Sequence, residues 1–342
     1  MRIAVVASPV TPLLPAQAGG AQAFVTDLAF GLARRGHEVQ LHCADGSVVP
    51  GVKLFTVPAP ADAAVALVMP AGSAPPLAPG VAAALTRMFE SVLSSNVDVV
   101  SQHAFDAPAF ELAWGLPVLH TLHLPPLVPV VTEAAGRYPP SRLATVSESC
   151  RSAWRSAGVE VAHVLKNGIV DLDVGNPRVE RMALVAGRIS PEKGVDDALA
   201  AARTAGLEVR VAGAHYDPSY EVDLTGAQVI GPLPRDQLRR LMAASAVTIC
   251  AVRWEEPFGM VAAEAQMAGC PVAAYRRGAL PEVVEEAVSG FLASPDDTGA
   301  LAEAIERCLA LDRAAVRASA RRRLGFEAAL DGYETVLRVA AS

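Results

Sequence analysis

Residues 2–43, RIAVVASPVTPLLPAQAGGAQAFVTDLAFGLARRGHEVQLHC, contain the alternation that decides the fold. A β-rich run precedes a proline-rich turn and Gly19-Gly20, a helical pattern follows over residues 21–35, and a second apolar run covers residues 38–43. Strand, loop, helix and strand in this order form the unit from which parallel sheets are built. The opening of the chain therefore predicts an α/β fold.

The same alternation continues and starts again in the second half of the chain. The first half has further predicted helices over residues 81–94 and 108–114, and strands over residues 97–101 and 117–121. The second half has predicted strands over residues 183–186, 207–212, 228–230, 247–250 and 271–274, and helices over residues 196–205, 235–244 and 261–268. Residues 300–341 are predicted to be helical with a bend at Gly325, and residues 58–80, rich in Pro, Ala and Gly, to form a surface loop.

The length of 342 residues exceeds one ordinary core and fits two domains of about 150 residues each. We predict an N-terminal Rossmann-like domain over residues 1–165 and a C-terminal one over residues 166–320, each doubly wound and facing the other across a cleft. Residues 321–342 are predicted to form a helix that returns to the N-terminal domain.

Composition and charge exclude several classes of function. A net charge of −7 removes the long-range attraction to nucleic acid or an anionic membrane surface. The apolar windows are too short to span a bilayer, and the run before Pro9 is too short for a secretory signal. Five scattered cysteines without Cys-x-x-Cys spacing argue against disulfides and zinc. We therefore expect a reduced, cytoplasmic protein.

Two permanent cations follow the first predicted strand of the second domain, in the stretch from Gly187 to Gly194. Arg188 offers a forked donor and Lys193 a compact charge, and together they can neutralise a diphosphate. Ligands of parallel sheets bind at the carboxyl ends of the strands, where this stretch begins. We interpret it as a diphosphate-binding loop; the alternative is an exposed loop in which Ser190 opens a helix.

Two carboxylates, Glu256 and Glu264, are separated by seven residues and bracket Phe258-Gly259. If a helix begins near Gly259, its free N–H groups and its dipole face an anion, while the carboxylates accept hydrogen bonds from hydroxyl groups. A sugar attached to a diphosphate presents both kinds of group. The alternative is a pair of unrelated surface acids near a helix start.

Polar residues also follow two predicted strands of the first domain. His120 and His123 lie at the end of one strand, and His103 and Asp106 follow another. One of these histidines could donate a hydrogen bond to a substrate hydroxyl. A spacing of three at a strand end is poor chelating geometry and no third ligand has a recognisable spacing, so we predict no metal site.

Seven motifs of this chain occur in the order found in the retaining glycosyltransferases of family GT4, which the chain resembles over residues 1–320. They are Gly19-Gly20, Thr121-Leu122-His123, Val146-Ser147-Glu148-Ser149, Asn167-Gly168, Gly187-Arg188 to Lys193-Gly194, Glu256 to Glu264, and Gly278 to Glu282. The resemblance implies the GT-B fold, a nucleotide-diphosphate sugar as donor and transfer with retention of configuration. It also implies that no metal and no other cofactor is needed.

The resemblance also implies roles for single residues. Arg188 and Lys193 would bind the diphosphate, and Glu264 would accept hydrogen bonds from the ribose. Glu256 would hold the sugar hydroxyls, and His123 would touch the sugar from the opposite domain. The implied catalytic residues are His123, Arg188, Lys193 and Glu256. The implied donor-binding residues are Gly19, Gly20, Gly187, Arg188, Lys193, Gly213, Leu233, Glu256, Phe258, Gly259, Met260, Val261 and Glu264. On the acceptor side it places His103, Asp106 and His120.

The sequence leaves the identity of the donor and the acceptor open, as well as the oligomeric state. Family frequency favours UDP as the nucleotide, with GDP next. We expect a small soluble glycoside, oligosaccharide or natural-product acceptor, and no contact with nucleic acid or with the membrane interior. The alternatives are an epimerase or hydrolase of nucleotide sugars on the same fold, and a non-catalytic nucleotide-sugar-binding protein.

Overall fold

The computed structural model describes residues 1–14, 19–63, 78–215 and 220–342. Contacts between Cα atoms divide the chain into two compact units. The first unit comprises Met1–Pro15, Ala21–Lys166 and Glu327–Ser342, and the second unit comprises Ala16–Gly20 and Asn167–Phe326. The larger part of the surface loop predicted at residues 58–80 lies outside the described residues.

The first unit contains a sheet of seven strands. The strands are β1 (Arg2–Val6), β2 (Glu38–Ala44), β3 (Lys53–Val57), β4 (Val99–Gln102), β5 (Val118–Leu122), β6 (Leu143–Thr145) and β7 (His163–Val164). Their order is β3-β2-β1-β4-β5-β6-β7 and every pairing is parallel. The chain builds outward from β1 in one direction and then in the other. The topological switch point therefore lies between β1 and β4, where open parallel sheets bind ligands.

The described helices of the first unit cover the faces of this sheet. They are α1 (Gly20–Arg34), α2 (Pro79–Ser94), α3 (Ala107–Leu112), α4 (Pro129–Gly136) and α5 (Glu148–Ser156). Four of the five residues of β1 are buried, because helices cover both faces of a parallel sheet. The core on one side of the sheet includes Phe89, Phe110 and Trp154, each at most 1% exposed.

The second unit repeats the plan with six strands. The strands are β8 (Glu180–Ala186), β9 (Glu208–Ala212), β10 (Ala227–Val229), β11 (Ser245–Cys250), β12 (Val272–Tyr275) and β13 (Gly290–Ala293). The helices are α6 (Val195–Thr204), α7 (Arg235–Ala244), α8 (Met260–Met267), α9 (Leu280–Val283), α10 (Thr298–Cys308) and α11 (Arg313–Leu324). The parallel order β10-β9-β8-β11-β12-β13 places the switch point between β8 and β11.

The last helix, α12 (Phe326–Ala340), packs within the first unit from Glu327 onward. Its Tyr333 is fully buried, and Arg35 of the first unit forms ion pairs with Glu327, Asp331 and Glu334. Gly325 separates α11 from α12 at the predicted bend. The segment that returns therefore begins six residues later than the predicted start at residue 321, because α11 continues to Leu324 in the second unit.

The predicted elements lie within about three residues of observed ones, and the structure adds short elements that the pattern did not indicate. The added strands include β3 and β7, at opposite edges of the first sheet, where half-exposed residues blur the apolar pattern. All five cysteines are buried and none of them forms a disulfide. No helix within residues 1–14, 19–63, 78–215 and 220–342 is long and apolar enough to cross a membrane.

Candidate functional site

The two loops that leave β8 and β11 converge at the carboxyl edge of the second sheet. β8 and β11 are paired neighbours at the switch point, so the chain leaves them to opposite sides, at the place where open parallel sheets bind ligands. The loop after β8 carries Arg188 and Lys193, and the loop after β11 carries Glu256. The sheet topology thus brings together cations and a carboxylate that are more than sixty residues apart in sequence.

Lys193 and Glu256 are in direct contact. The Nζ atom of Lys193 donates to Oε2 of Glu256 at 2.8 Å, and the same oxygen accepts from Nε1 of Trp254, also at 2.8 Å. The ammonium group lies 5.1 Å from the centroid of the Trp254 ring, within range of a cation–π interaction. These contacts use only Oε2, so Oε1 of Glu256 is available to accept hydrogen bonds from a ligand.

The backbone around Lys193 is held against the β11 loop. Gly194 has a φ of 58°, and a Cβ atom there would lie 1.9 Å from the carbonyl oxygen of Ala251. Only glycine fits this position, because the left-handed conformation and the close approach both exclude a side chain. Arg253, on the β11 loop, also forms ion pairs with Asp196 and Asp197 in the first turn of α6.

Glu256 is fixed from a third loop, which follows β12. The backbone N–H of Ala279 donates to the carbonyl oxygen of Glu256 at 2.8 Å. The next residue back, Gly278, has a φ of 55°, and a Cβ atom there would lie 2.3 Å from the backbone N and O of Glu256. The predicted motif from Gly278 to Glu282 therefore positions Glu256 through contacts with its backbone.

Glu264 lies on α8, one turn after the start of the helix, and is 7% exposed. Its Oε1 atom lies 3.1 Å from Nη2 of Arg239 and 3.7 Å from Nη2 of Arg235, both on α7. Arg239 is 1% exposed, so Glu264 supplies the counter-charge for a buried guanidinium. Glu264 and Glu256 therefore have different partners: Glu264 lies beside the buried Arg239 and the half-buried Arg235, and Glu256 contacts a lysine and an indole.

Arg188 lies at the start of the loop after β8 and is half-buried. Its Nη2 atom is 3.2 Å from Oε1 of Glu192, one turn further along the loop. Glu192 is tied to the neighbouring loop, because its carbonyl oxygen accepts from the N–H of Arg253 at 2.9 Å. Arg188 and Lys193 thus lie on one loop segment that is hydrogen-bonded to the loop after β11.

The remaining donor-side predictions fall on loops of the same unit or at the start of α8. Gly213 follows β9 and packs against the carbonyl oxygen of Gly187, and Leu233 is half-buried just before α7. Phe258, Gly259 and Met260 are buried at the start of α8, and Val261 is half-buried in its first turn. At the other predicted glycine pair, Gly19 precedes Gly20, which begins α1.

Two of the predicted histidines meet in the first unit. The Nδ1 atom of His103, after β4, lies 2.9 Å from Nε2 of His123, after β5. The Nε2 atom of His103 lies 2.9 Å from Oγ of Ser101. Burial lowers the pKa of both rings, that of His123 to about 4, so both are neutral at pH 7.

His120 does not join these two rings. Its ring stacks on Phe110 at 4.5 Å and meets Tyr138 edge-on, and it is fully buried with a pKa lowered by burial to about 3. Successive strand residues point to opposite faces of a sheet, so His120 faces the helices rather than the strand ends. Asp106 is half-buried just before α3, and burial raises the pKa of its carboxyl group to about 6.

Sequence reasoning missed three residues of the site: Trp254, Arg253 and Arg239. Trp254 and Arg253 directly precede the Glu256 motif, and an indole beside two acids was a usable signal. Arg239 gave no such signal. A buried arginine in a charged helix looks like an exposed one in the sequence, and only the packing of α7 against α8 distinguishes them.

Comparison with known families matches almost the whole chain. Residues 18–172 match the model for Glycosyltransferase Family 4, and residues 173–325 match that for Glycosyl transferases group 1. D-inositol 3-phosphate glycosyltransferase of Mycolicibacterium smegmatis is 30% identical over 95% of this chain and 87% of its own length. The protein of the same name from Mycobacterium tuberculosis H37Ra is 30% identical over 95% of this chain and 80% of its own length.

Solved structures share the fold at lower identity. AviGT4, a glycosyltransferase involved in avilamycin A biosynthesis, has a TM-score of 0.73 and 22% identity, with 99% of this chain and 98% of that chain covered. Anabaena HepE, solved in complex with UDP-glucose, has a TM-score of 0.73 and 19% identity, with 99% and 100% covered.

Proposed function

Because the chain belongs to glycosyltransferase family 4 and has the GT-B fold, we propose that it transfers a sugar from a nucleoside diphosphate sugar to a hydroxyl group of a small acceptor, with retention of anomeric configuration. The contact between Lys193 and Glu256 carries this proposal. A cation for a phosphate and a carboxylate for sugar hydroxyls lie side by side at the switch point, where open parallel sheets bind ligands.

We assign the electrostatic part of catalysis to Arg188 and Lys193. Negative charge develops on the diphosphate as the bond to the sugar breaks, and preorganised cations stabilise that charge. Each well-aimed donor contributes about 3 kcal/mol in comparable sites. The departing phosphate oxygen takes the proton of the acceptor hydroxyl on the same face of the sugar, which gives retention. Proton NMR of the anomeric centre in the product tests this step, and an inverted product would contradict it.

The two glutamates bind and do not transfer protons in this proposal. Glu256 accepts hydrogen bonds from the sugar through Oε1, since Oε2 is occupied by Lys193 and Trp254. Glu264 accepts from the ribose. Arg188 and Lys193 take the place of a divalent cation, so we expect full activity in the presence of EDTA. A requirement for added Mg²⁺ or Mn²⁺ would contradict this assignment.

UDP is the nucleotide that we expect to bind. Family frequency favours it, and the structural neighbour HepE was solved with UDP and with UDP-glucose. In a thermal-shift panel of UDP, GDP, ADP and dTDP, UDP should raise Tm by several degrees. A ligand at 100 times its Kd stabilises the folded state by about 2.7 kcal/mol. A shift with GDP alone would change the donor class and leave the transferase proposal intact.

Replacing Glu264 by glutamine should weaken UDP binding by about 10-fold or more, because a hydrogen bond to a charged group contributes about 1.5–3 kcal/mol. The same change removes the counter-charge of the buried Arg239, so Tm should also fall. Calorimetry well below Tm separates the two effects. Glu303→Gln, on the exposed face of α10, is the matched control and should change neither value. An unchanged Kd for UDP would remove Glu264 from the binding site.

For the acceptor we propose a small hydroxyl-rich molecule without a phosphate group. The relatives at 30% identity are named for D-inositol 3-phosphate, which supports a polyol-like acceptor. The strand ends of the first unit carry neutral imidazoles and the carboxyl group of Asp106, and these groups suit hydroxyl groups better than a phosphate. Side-by-side assays of inositol, inositol 3-phosphate and simple glucosides test the choice, and a strong preference for the phosphate would overturn it.

An epimerase or hydrolase would act on the donor without an acceptor. Incubating the protein with UDP-glucose alone separates these activities from transfer, because a transferase should leave most of the sugar nucleotide intact until an acceptor is added. Rapid conversion of the donor alone would contradict the transferase proposal. Binding of nucleotide without turnover of any acceptor would favour a binding protein.

A further inference from the structure

Three buried side chains in the first unit form a hydrogen-bonded series that ends on an unused ring nitrogen. Ser101 Oγ lies 2.9 Å from His103 Nε2, and His103 Nδ1 lies 2.9 Å from His123 Nε2. Ser101 is fully buried, and His103 and His123 are each 6% exposed. The last atom, Nδ1 of His123, is buried and has no hydrogen-bond partner among the described residues.

The number of protons on the two imidazoles decides which atom donates in each hydrogen bond of this series. A neutral imidazole carries one N–H and one acceptor nitrogen, so each histidine donates once and accepts once. If the Ser101 hydroxyl donates to His103 Nε2, then His103 Nδ1–H donates to His123 Nε2. His123 must then carry its own proton on Nδ1. Every donor within the series has an acceptor in this arrangement, and only the outermost N–H is free.

The reverse direction is less favourable. In it, His123 Nε2–H donates to His103 and His103 Nε2–H donates to Ser101. The hydroxyl proton of Ser101 then needs another acceptor, and the Ser101 hydroxyl group has no other hydrogen-bond partner among the described residues. A buried donor without an acceptor destabilises the fold by about 1–3 kcal/mol. The reverse direction thus leaves two buried groups without partners, the Ser101 hydroxyl proton and the unprotonated Nδ1 of His123, whereas the first direction leaves only the Nδ1–H of His123 and is therefore favoured.

The rings are also fixed in place. Phe24 of α1 meets the His123 ring at a centroid distance of 6.2 Å, and Tyr333 of α12 lies 6.1 Å from the His103 ring. Turning either imidazole over would replace its hydrogen-bonding nitrogens by ring carbons and break the contacts between Ser101, His103 and His123, so each ring keeps one orientation. The N–H of His123 thus has a set position as well as a set proton, which is what a ligand oxygen requires of a donor.

We propose that Ser101 and His103 are positioning residues that hold His123 in the tautomer protonated on Nδ1, so that His123 presents an N–H donor to a substrate oxygen atom at the strand ends of the first unit. This inference rests on the proposed function, because it takes the ligand from there. His103 thereby leaves the acceptor side and becomes the residue that orients His123.

The tautomer can be read directly by NMR. In protein labelled with [¹⁵N]histidine, long-range ¹H–¹⁵N correlations at pH 7.5 distinguish a protonated ring nitrogen from an unprotonated one, and a His123→Gln spectrum assigns the signals. We expect Nδ1–H at His123 in the unmodified protein and Nε2–H in His103→Leu, which lacks the donor. His103→Asn should restore Nδ1–H, since its amide can donate to Nε2 of His123.

Kinetics then test the consequence for the ligand. His103→Leu should lower kcat with UDP-glucose by about 10- to 100-fold while the Kd for UDP stays constant, and His103→Asn should recover most of the loss. His42→Phe is the matched control, because His42 is also a buried imidazole in the first unit and has no hydrogen-bond partner among the described residues. It should change neither the His123 tautomer nor kcat.

Two results would overturn the inference: Nε2–H at His123 in the unmodified protein, or an unchanged tautomer and kcat in His103→Leu. If that variant does not fold, Ser101→Ala provides the same test, since it removes the first donor and should give a mixture of His123 tautomers. The NMR readout needs no donor or acceptor. A protein with the expected tautomer but no transfer from any nucleotide sugar would therefore refute the proposed function and leave the tautomer assignment standing.

Discussion

Replacing Lys193 by alanine should lower kcat by roughly 100- to 1000-fold while the protein stays folded. Lys193 is the compact cation of the loop that we propose binds the diphosphate, and its ammonium group already lies 2.8 Å from the carboxylate proposed to bind the sugar. No other side chain brings a positive charge to Glu256 within hydrogen-bond distance in the described part of the chain. The side chain is 21% exposed and contributes little to the core, so its loss should act on the transition state rather than on stability.

The measurement is a steady-state assay with circular dichroism and Tm alongside. Lys53→Ala is the matched control, since Lys53 lies on the edge strand β3 of the other unit and should leave kcat unchanged. Lys193→Arg should recover part of the activity, because it keeps the charge but changes its shape. Activity like that of the unmodified protein in Lys193→Ala would remove this residue from the catalytic set.

The free energy of unfolding should fall steeply as the pH drops below 6.5, and the first unit should unfold first. Burial lowers the pKa of His42 to about 4 and of His120 to about 3, and it lowers the pKa of His103 and His123 as well. Between these values and the ordinary pKa of 6.5 the unfolded chain binds more protons than the folded one. The stabilisation is therefore complete above pH 6.5 and is lost progressively toward pH 3–4.

The stabilisation lost on acidification is comparable to the free energy of unfolding of a whole domain. At about 1.4 kcal/mol per pKa unit, His42 contributes about 3 kcal/mol and His120 about 5 kcal/mol, whereas domains are typically stable by 5–15 kcal/mol. Glu334, whose pKa the neighbouring Arg338 lowers to about 2, adds to the loss only below its ordinary value near 4.5. Acid unfolding should therefore begin with the histidines.

Urea unfolding at a series of pH values from 8 to 4 measures this dependence. His42→Phe and His120→Phe keep a ring in each apolar site and remove the titrating group, so each should reduce the slope of unfolding free energy against pH. The slope is informative even if the larger ring strains the core, because strain is independent of pH. A slope that is unchanged in both variants would show that these histidines are not the acid-sensitive groups.

The order of strands and helices was predictable because it depends on local periodicity. The runs at β1, β2, β8 and β11 are continuous and apolar, as strands buried on both faces must be, and glycine ends the helix before β2. The edge strands β3 and β7 were not predictable, since their exposed residues interrupt the pattern. The start of α12 was displaced for a similar reason, because composition alone does not show where one helix ends and the next begins.

The sequence by itself determined that Arg188, Lys193, Glu256 and Glu264 follow or flank strand ends, because motif spacing and strand order are properties of the chain. Only the tertiary structure decided which of these groups meet. Packing pairs Lys193 with Glu256 and Trp254, pairs Glu264 with the buried Arg239, and separates His120 from His123 by the alternation of the strand. Side-chain partners depend on distances between segments remote in sequence, and those distances exist only once the sheet has formed.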